Sequence, residues 1–376
     1  MMTTPRDRKS GIRASRVSAA DVAKAAGVST ATVSYVLNDR PGVSAEMRQR
    51  VLQVAEELGY PLEQHGAKVK AKRTRVLGLI HPDISNNFFA DVSAGAIDAA
   101  RAEGYEVFLA HTLENTQTLA AITSAMITRN VDGIIFTVLH TDDGERIRDL
   151  RSAGIPFVQM TRRIPNLRAD FVGTDDFAGA GEIMQHIIDH GYQDIGVVMG
   201  PTNSSASSAR AESFIATAKR NGHPLPADRL FSAYLSEEAG LRLILRLISE
   251  DDVPRALVCG SDAIASGVIG GLRANGYRVP EDVAVTGYDG VYPAASMLAE
   301  LTTVSLPRRQ MAKIAVQQVV RRIEGAGGAI RDLIHPYRIR IGTSCGCSAD
   351  GMVLPPRPAG VKQNQSQQNQ STERKK

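Results

Sequence analysis

The 376-residue sequence has no apolar run approaching bilayer length. Its opening, Met-Met-Thr-Thr-Pro-Arg-Asp-Arg-Lys, lacks the apolar core of a signal peptide, so a cytoplasmic protein with no membrane partner is expected. Cysteine is scarce. Cys259, Cys345 and Cys347 make no disulfide framework, and Cys345-Gly-Cys347 is a poor metal signal without two further ligands nearby. The expectation is three free thiols and no metal, with a regulatory redox role for Cys345 and Cys347 as the alternative. The catalytic signatures are missing as well: no Gly-x-Gly-x-x-Gly after a strand, no Walker loop, no Gly-x-Ser-x-Gly elbow and no paired metal ligands. No catalytic residue and no cofactor can be named, which argues against an enzyme.

What is present begins with charge placement. Residues 1 to 75 hold 14 Lys and Arg against 7 Asp and Glu, a balance of +7 that leaves −3 for the rest of a chain of net charge +4. A basic N-terminal segment suits phosphate contact, although residues 1 to 16 alone read as a flexible basic tail.

Residues 17 to 38 read as two short helices joined by a tight turn. Ser18 with Asp21 has capping-box spacing, Gly27 ends the first helix, and Ser29 can cap the second. Val33, Val36 and Leu37 fall at i, i+3 and i+4 and give that helix one buried face. Its other face carries Thr30, Ala31, Ser34, Tyr35 and Asn38, small and polar enough to enter a DNA groove. After the turn-rich Asn38-Asp-Arg-Pro-Gly-Val43, Ser44 can cap a third helix with Met47, Val51, Val54, Ala55 and Leu58 on its apolar face, and Gly59 stops it.

The stretch Asp21-Val-Ala-Lys-Ala-Ala-Gly-Val-Ser-Thr-Ala-Thr-Val-Ser-Tyr-Val-Leu-Asn38, followed by Val43-Ser44 and Leu58-Gly59-Tyr60, closely resembles the headpiece of the lactose-repressor (LacI) family of bacterial transcription regulators. The resemblance continues to about Cys347. It implies that Thr30, Ala31 and Tyr35 reach base edges while Ser29 and Asn38 contact phosphates. Arginine often stands at the position of Tyr35 in this family, so the operator preference should differ there, because tyrosine cannot make arginine's bidentate contact to guanine. Residues 61 to 75 would be a hinge that forms a short helix on DNA. There Val69 stands where a leucine normally wedges into the minor groove, with Lys68, Lys70, Lys72 and Arg73 placed for phosphates. The usual Pro-Asn after the tyrosine is absent, and Gly66 lowers helix propensity by about 1 kcal/mol.

From Arg75 short apolar strands alternate with amphipathic helices. Strands are expected at Val76 to Ile80, Tyr105 to Ala110, Val131 to Val138, Ile155 to Met160, Ile195 to Gly200, Ala256 to Gly260, Val283 to Gly287 and Tyr337 to Ile341. Helices are expected at Phe89 to Ala102 and Met311 to Glu324, among others. The fold class is therefore α/β: an N-terminal three-helix helix-turn-helix headpiece followed by two doubly wound parallel α/β subdomains, periplasmic-binding-protein-like, with a cleft at the carboxyl ends of their strands. The expected domains are a tail at 1–16, the headpiece at 17–60, the hinge at 61–75, an effector-binding and dimerisation body at 75–348 and a disordered Pro-rich then Gln/Asn-rich tail at 349–376. By resemblance the chain crosses between subdomains three times, with about 75–173 and 304–332 in the first and about 174–303 and 333–348 in the second.

The resemblance brings seven residues to the cleft. Asp83, Phe88 and Phe89 follow the first strand, and a phenylalanine there could stack on a sugar or base or simply begin the next helix's buried face. Arg162 falls at a cleft position, with Thr161 where the family often has aspartate. Arg210, in a serine-rich loop ahead of Phe214, offers a guanidinium fork for hydroxyls or a carboxylate. Asp289 matches the family's strand-end aspartate, and Asp262, like Asp175, follows a strand and precedes a helix, so it could equally be a helix cap. His81, His111 and His140 have no partner spacing and read as surface or structural residues. The expected function is a sequence-specific DNA-binding regulator, a repressor, acting as a homodimer or higher oligomer on double-stranded operator DNA under control of a small effector, a sugar first and another metabolite second. A sugar-binding receptor of periplasmic type is the rival, and it would need an export signal and no helix-turn-helix.

Overall fold

The computed structural model describes residues 17–37, 42–60, 73–145, 147–291 and 300–348. Asn38, Lys68, Val69 and both expected tails lie outside the described residues. The chain divides into two compact units, Met1–Arg73 and Thr74–Lys376.

The first unit holds α1 (Ala19–Ala26), α2 (Thr30–Leu37) and α3 (Ala45–Glu57). The capping box at the start of α1 is present: Ser18 Oγ accepts from the amide of Asp21, and Asp21 Oδ2 accepts from the amide of Ser18 at 2.8 Å. Gly27 ends α1 at φ 69°, a left-handed value that glycine adopts without steric cost. Ser29 Oγ accepts from the amide of Thr32 at 3.0 Å and so begins α2, while Ser44 caps α3. Val22, Val33, Val36, Leu37, Val51, Ala55 and Tyr60 form the core. Leu58 departs from expectation: it is 38% exposed, because α3 ends at Glu57 and the following turn carries Tyr60 into the core instead.

The second unit contains two six-stranded sheets. Its elements run β1 (Val76–His81), α4 (Asn87–Ala102), β2 (Glu106–His111), α5 (Thr116–Thr128), β3 (Gly133–Phe136), α6 (Arg148–Ala153), β4 (Phe157–Met160) and β5 (Asp170–Thr174). They continue with α7 (Asp176–Asp189), β6 (Ile195–Met199), α8 (Ser205–Arg220), β7 (Leu230–Ser232), α9 (Glu237–Ser249), β8 (Ala256–Cys259), α10 (Asp262–Ala274) and β9 (Ala284–Asp289). Last come β10 (Thr302–Ser305), α11 (Arg308–Ile323), β11 (Asp332–His335) and β12 (Arg338–Arg340).

The first sheet has the order β2-β1-β3-β4-β5-β11 and the second β7-β6-β8-β9-β10-β12, so each repeats the other's winding. All pairings are parallel except β10 with β12, and that antiparallel edge departs from the all-parallel expectation. β10 belongs to the second sheet and β11 to the first. The crossovers therefore fall after Ser305 and after His335, slightly later than about 304 and 332. β5, β7, β10 and β11 were not expected as strands. Two of them lie at sheet edges, where short partly polar runs such as Asp332-Leu-Ile-His335 give weak periodicity.

One apolar core runs from Leu77, Val92, Met311 and Val319 around the first sheet to Ile183, Ile187, Phe214 and Tyr288 around the second. Two helices of the second sheet touch through Gly267, where a Cβ would stand 1.9 Å from the carbonyl of Glu237, too close for any side chain. Among the described residues no helix is long and apolar enough to cross a membrane.

In each sheet the strand order reverses beside its first strand, between β1 and β3 and between β6 and β8. Loops at such switch points bind ligands in open α/β sheets. The loop after β1 carries Asp83 and leads to Phe88 and Phe89 in the first turn of α4, and the loop after β6 leads through Ser204 to Arg210.

Candidate functional site

In the first unit, α2 turns Val33, Val36 and Leu37 inward and leaves Ser29, Thr30, Ala31, Ser34 and Tyr35 exposed, Tyr35 at 43%. The helix bears no acidic side chain in its first turn, so nothing there repels a phosphate backbone.

In the second unit the polar centre is Arg210, only 6% exposed. Its Nε donates to Asp176 Oδ1 at 2.8 Å, and its Nη1 donates to the carbonyl of Gly260 at 2.9 Å and to Asp289 Oδ1 at 3.2 Å. The guanidinium lies over the Tyr288 ring at 3.8 Å. Burial alone would lower the Arg210 pKa, but Asp176 and Asp289 outweigh it and hold the group charged. Asp289 sits at φ 113°, an uncommon backbone value for a residue with a side chain. Burial pushes its carboxyl up to about 6 against the pull of Arg210 and Arg308.

Asp262 is adjacent in charge but already committed. Its Oδ1 accepts from Thr303 Oγ1 and its Oδ2 from the amide of Val291, both at 2.5 Å. Burial, reinforced by Asp289, pushes this carboxyl up to about 8. The cap of α10 is Ser261 rather than Asp262, whereas Asp175 does cap α7, accepting from the amide of Ala178 at 2.9 Å.

Phe88 and Phe89 are both buried and meet edge to face at 5.0 Å. Phe89 also packs on His81 at 4.8 Å, and Arg308 lies 5.8 Å from the Phe88 ring. Arg308 donates to the carbonyl of Asp289 and to Asp91, tying α4 to the strand end that carries Asp289. Phe88 and Phe89 both belong to the core, and Phe88 also approaches the Arg210 centre through Arg308. His81 is fully buried between Thr137 and Ser93, and burial lowers it to about 4, so it is a neutral structural residue.

Asp83 and Arg162 stand apart from that centre. Asp83 accepts from the amide and hydroxyl of Ser85 in its own turn. Arg162 is 4% exposed and donates both terminal nitrogens to Glu114, at 2.8 and 3.0 Å, while His140 Nε2 lies 2.7 Å from the same carboxylate. Burial would raise Glu114, but His140 and Arg162 together bring it down to about 2. Asp176, Tyr288, Arg308 and Glu114 are the participants not singled out from sequence. Only Asp176, next to a strand end, carried a local signal.

Besides the bond from Arg308 to the carbonyl of Asp289, three hydrogen bonds among the described residues join the two halves of the body across the cleft. Asn86 Nδ2 donates to the carbonyl of Leu235 at 3.0 Å, Thr141 N to the carbonyl of Asn203 at 2.9 Å, and Arg163 N to Ser205 Oγ at 2.9 Å. A cavity of about 300 Å³ opens beside the Arg163–Ser205 contact, lined by Thr161, Arg163, Asp176, Phe177, Ser205 and Ala206 among others. Among the described residues of the Arg210 centre, Asp176 is the one that lines it.

The cysteines require a correction. Cys345 and Cys347 are buried free thiols, but two further ligand-type residues, His186 and His190, do stand beside them. His186 lies 159 positions upstream of Cys345, and that separation hid the group from a search for local spacing.

Comparison with known proteins agrees with both units. Residues 19–61 match the family model described as bacterial regulatory proteins, lacI family, and residues 74–343 match the one described as periplasmic binding proteins and sugar binding domain of LacI family. The transcriptional regulator MalR of Streptomyces coelicolor is 32% identical over 314 residues, 81% of this chain and 90% of its own length. The transcriptional repressor PurR of Pasteurella multocida is 30% identical over 305 residues, 81% of this chain and 91% of its own. The solved complex of the regulator CelR with cellobiose has a TM-score of 0.65 at 26% identity, covering 88% of this chain and all of that one. The chain belongs to the LacI family and is a DNA-binding transcriptional regulator: a helix-turn-helix joined to a periplasmic-binding-protein-like effector domain.

Proposed function

We propose that this regulator is a homodimeric repressor whose grip on a near-palindromic operator is set by a small polyhydroxylated effector, a sugar, taken between the two sheets of its body. The observation that carries the reading is the Arg210 centre. It is a buried guanidinium held by carboxylates from α7 and from the end of β9, next to the switch-point loop of the second sheet. Nη2 has no protein partner among the described residues, so one arm of the fork is available to a ligand hydroxyl. Asp289, and Asp262 once Thr303 or Val291 yields, would accept from neighbouring hydroxyls, and Phe88 would supply an apolar wall. CelR binds cellobiose at a similar body, which favours a sugar.

On DNA, Thr30, Ala31 and Tyr35 would read bases, with Ser34 beside them, while Ser29, Asn38 and Lys68 contact phosphates and Val69 acts as the minor-groove lever. The edge strand β2 supports self-association, because Phe108 and Leu109 are 42% and 40% exposed there and Leu113 just beyond it is 65% exposed. An effector that alters the three cross-cleft hydrogen bonds would change the angle between the halves and hence headpiece spacing. That coupling must be reciprocal. The test is calorimetric titration of a mono- and disaccharide panel into the protein with and without operator DNA. A sugar bound more weakly by the operator complex marks an inducer, one bound more tightly a corepressor, and equal binding by both forms removes the coupling.

A further inference from the structure

We propose that His186, His190, Cys345 and Cys347 form a tetrahedral binding site for a zinc-class divalent transition-metal ion. The four side chains converge from two distant parts of the chain. His186 lies in the last turn of α7 and His190 caps its C-terminus four residues on, so both rings project from one face. Cys345 and Cys347 come from the turn after β12, and their ligand atoms lie within 4.8 Å of each other and of both imidazole nitrogens.

The distances match coordination geometry. The two Nε2 atoms are 3.3 Å apart, Cys345 Sγ is 3.3 Å from His186 Nε2, and Cys347 Sγ is 3.4 and 3.8 Å from His190 and His186. A tetrahedron with zinc–nitrogen bonds of about 2.05 Å and zinc–sulfur bonds of about 2.3 Å sets nitrogens about 3.3 Å apart and sulfur about 3.6 Å from nitrogen. Two imidazoles and two thiols in a tetrahedron are the donor set that selects zinc over harder, six-coordinate cations.

The surroundings hold the ligands in place. Thr302 Oγ1 donates to Cys345 Sγ at 3.0 Å, a hydrogen bond that would stabilise a metal-bound thiolate. Tyr192 Oη donates to the carbonyl of Cys345 at 3.1 Å and fixes the turn. Gly346 sits between the cysteines at φ 101°, and a Cβ there would stand 2.9 Å from the Tyr192 hydroxyl, so only glycine lets the turn close on α7. His190, Cys345 and Cys347 are buried and His186 is half-buried, which makes the site a closed structural one with no open coordination position. An ion there would clamp the end of the body to α7, whose first residue, Asp176, grips Arg210.

The test is metal analysis of the full chain purified under reducing conditions, followed by chelation and titration with Zn(II) or Co(II) alone. The expected result is about one zinc per chain, a cobalt form with the visible bands and thiolate charge transfer of four-coordinate S2N2 ligation, and a melting temperature lower by roughly 5–10 °C after chelation. Cys347→Ser and His186→Gln, checked for folding by circular dichroism, should each lose the four-coordinate cobalt spectrum. Unchanged metal content in both folded variants would overturn the proposal. So would failure of the reduced wild-type chain to take up either metal, or a mass two hydrogens light that shows Cys345 joined to Cys347.

Discussion

Arg210 donates through Nε to Asp176 Oδ1, linking the helix that follows the second sheet's switch-point loop to the first residue of α7. Asp289 shares the same guanidinium, so two buried carboxylates meet on one cation. An effector that enters must join this arrangement or displace part of it.

Arg210→Met therefore removes more than a ligand contact. The variant should lose effector response, and it should lose about 3 kcal/mol of stability at pH 8, where Asp289, above its value of about 6, is charged and has lost the Arg210 cation. At pH 5 the loss should shrink, because Asp289, already raised to about 6, is then neutral. Denaturant unfolding at both pH values checks the difference.

Asp262→Asn tests the other raised carboxyl. With its folded pKa at about 8 against an ordinary 3.8, Asp262 holds a proton that the unfolded chain releases. Its contribution is fully present below the unfolded value and is lost as pH rises toward about 8, by about 1.4 kcal/mol for each pH unit in that window. Asparagine can still accept from Val291 and meet Thr303 without titrating. The variant's stability relative to the parent should climb from pH 5 to pH 8 and then level off in parallel denaturation series.

Glu114→Gln should show the opposite sign. Glu114 is held down at about 2 from an ordinary 4.5, so its contribution is present above the unfolded value and is lost as pH falls toward 2. The variant should be less stable than the parent by roughly 3 kcal/mol at pH 7, with the gap closing in acid. It should also release Arg162 from its bidentate hold, and an effector affinity that changes with Glu114→Gln would bring Arg162 into the binding site.

These contrasts mark how far the sequence could be read. The headpiece was legible almost residue by residue, because Ser18, Asp21, Gly27, Ser29 and Ser44 act within a few positions of themselves. Leu58 misled because helical periodicity carries no sign of where α3 stops. In the body, Arg210 and Asp289 stand out at the ends of apolar runs and do meet. Asp176, Tyr288 and Arg308 complete their centre through contacts between segments far apart in sequence, which no local pattern encodes. The same physics hid His186 and His190 from Cys345 and Cys347.

Phe108→Glu addresses assembly. A charge on the exposed edge strand β2 should convert a dimer to monomer in analytical ultracentrifugation and weaken operator binding, with the helical signal unchanged. A variant that stays dimeric places the contact on another face.

On the proposed function, α2 reads operator DNA under control of the body. Selection of bound fragments from a random duplex library with the purified full chain tests it most directly. The expected result is a near-palindromic motif of two half-sites, with Tyr35→Ala relaxing preference at one base pair in each half-site by about 1–3 kcal/mol while the rest of the motif is kept. Enrichment of no motif, or a motif that Tyr35→Ala leaves unchanged in both sequence and affinity, would contradict it.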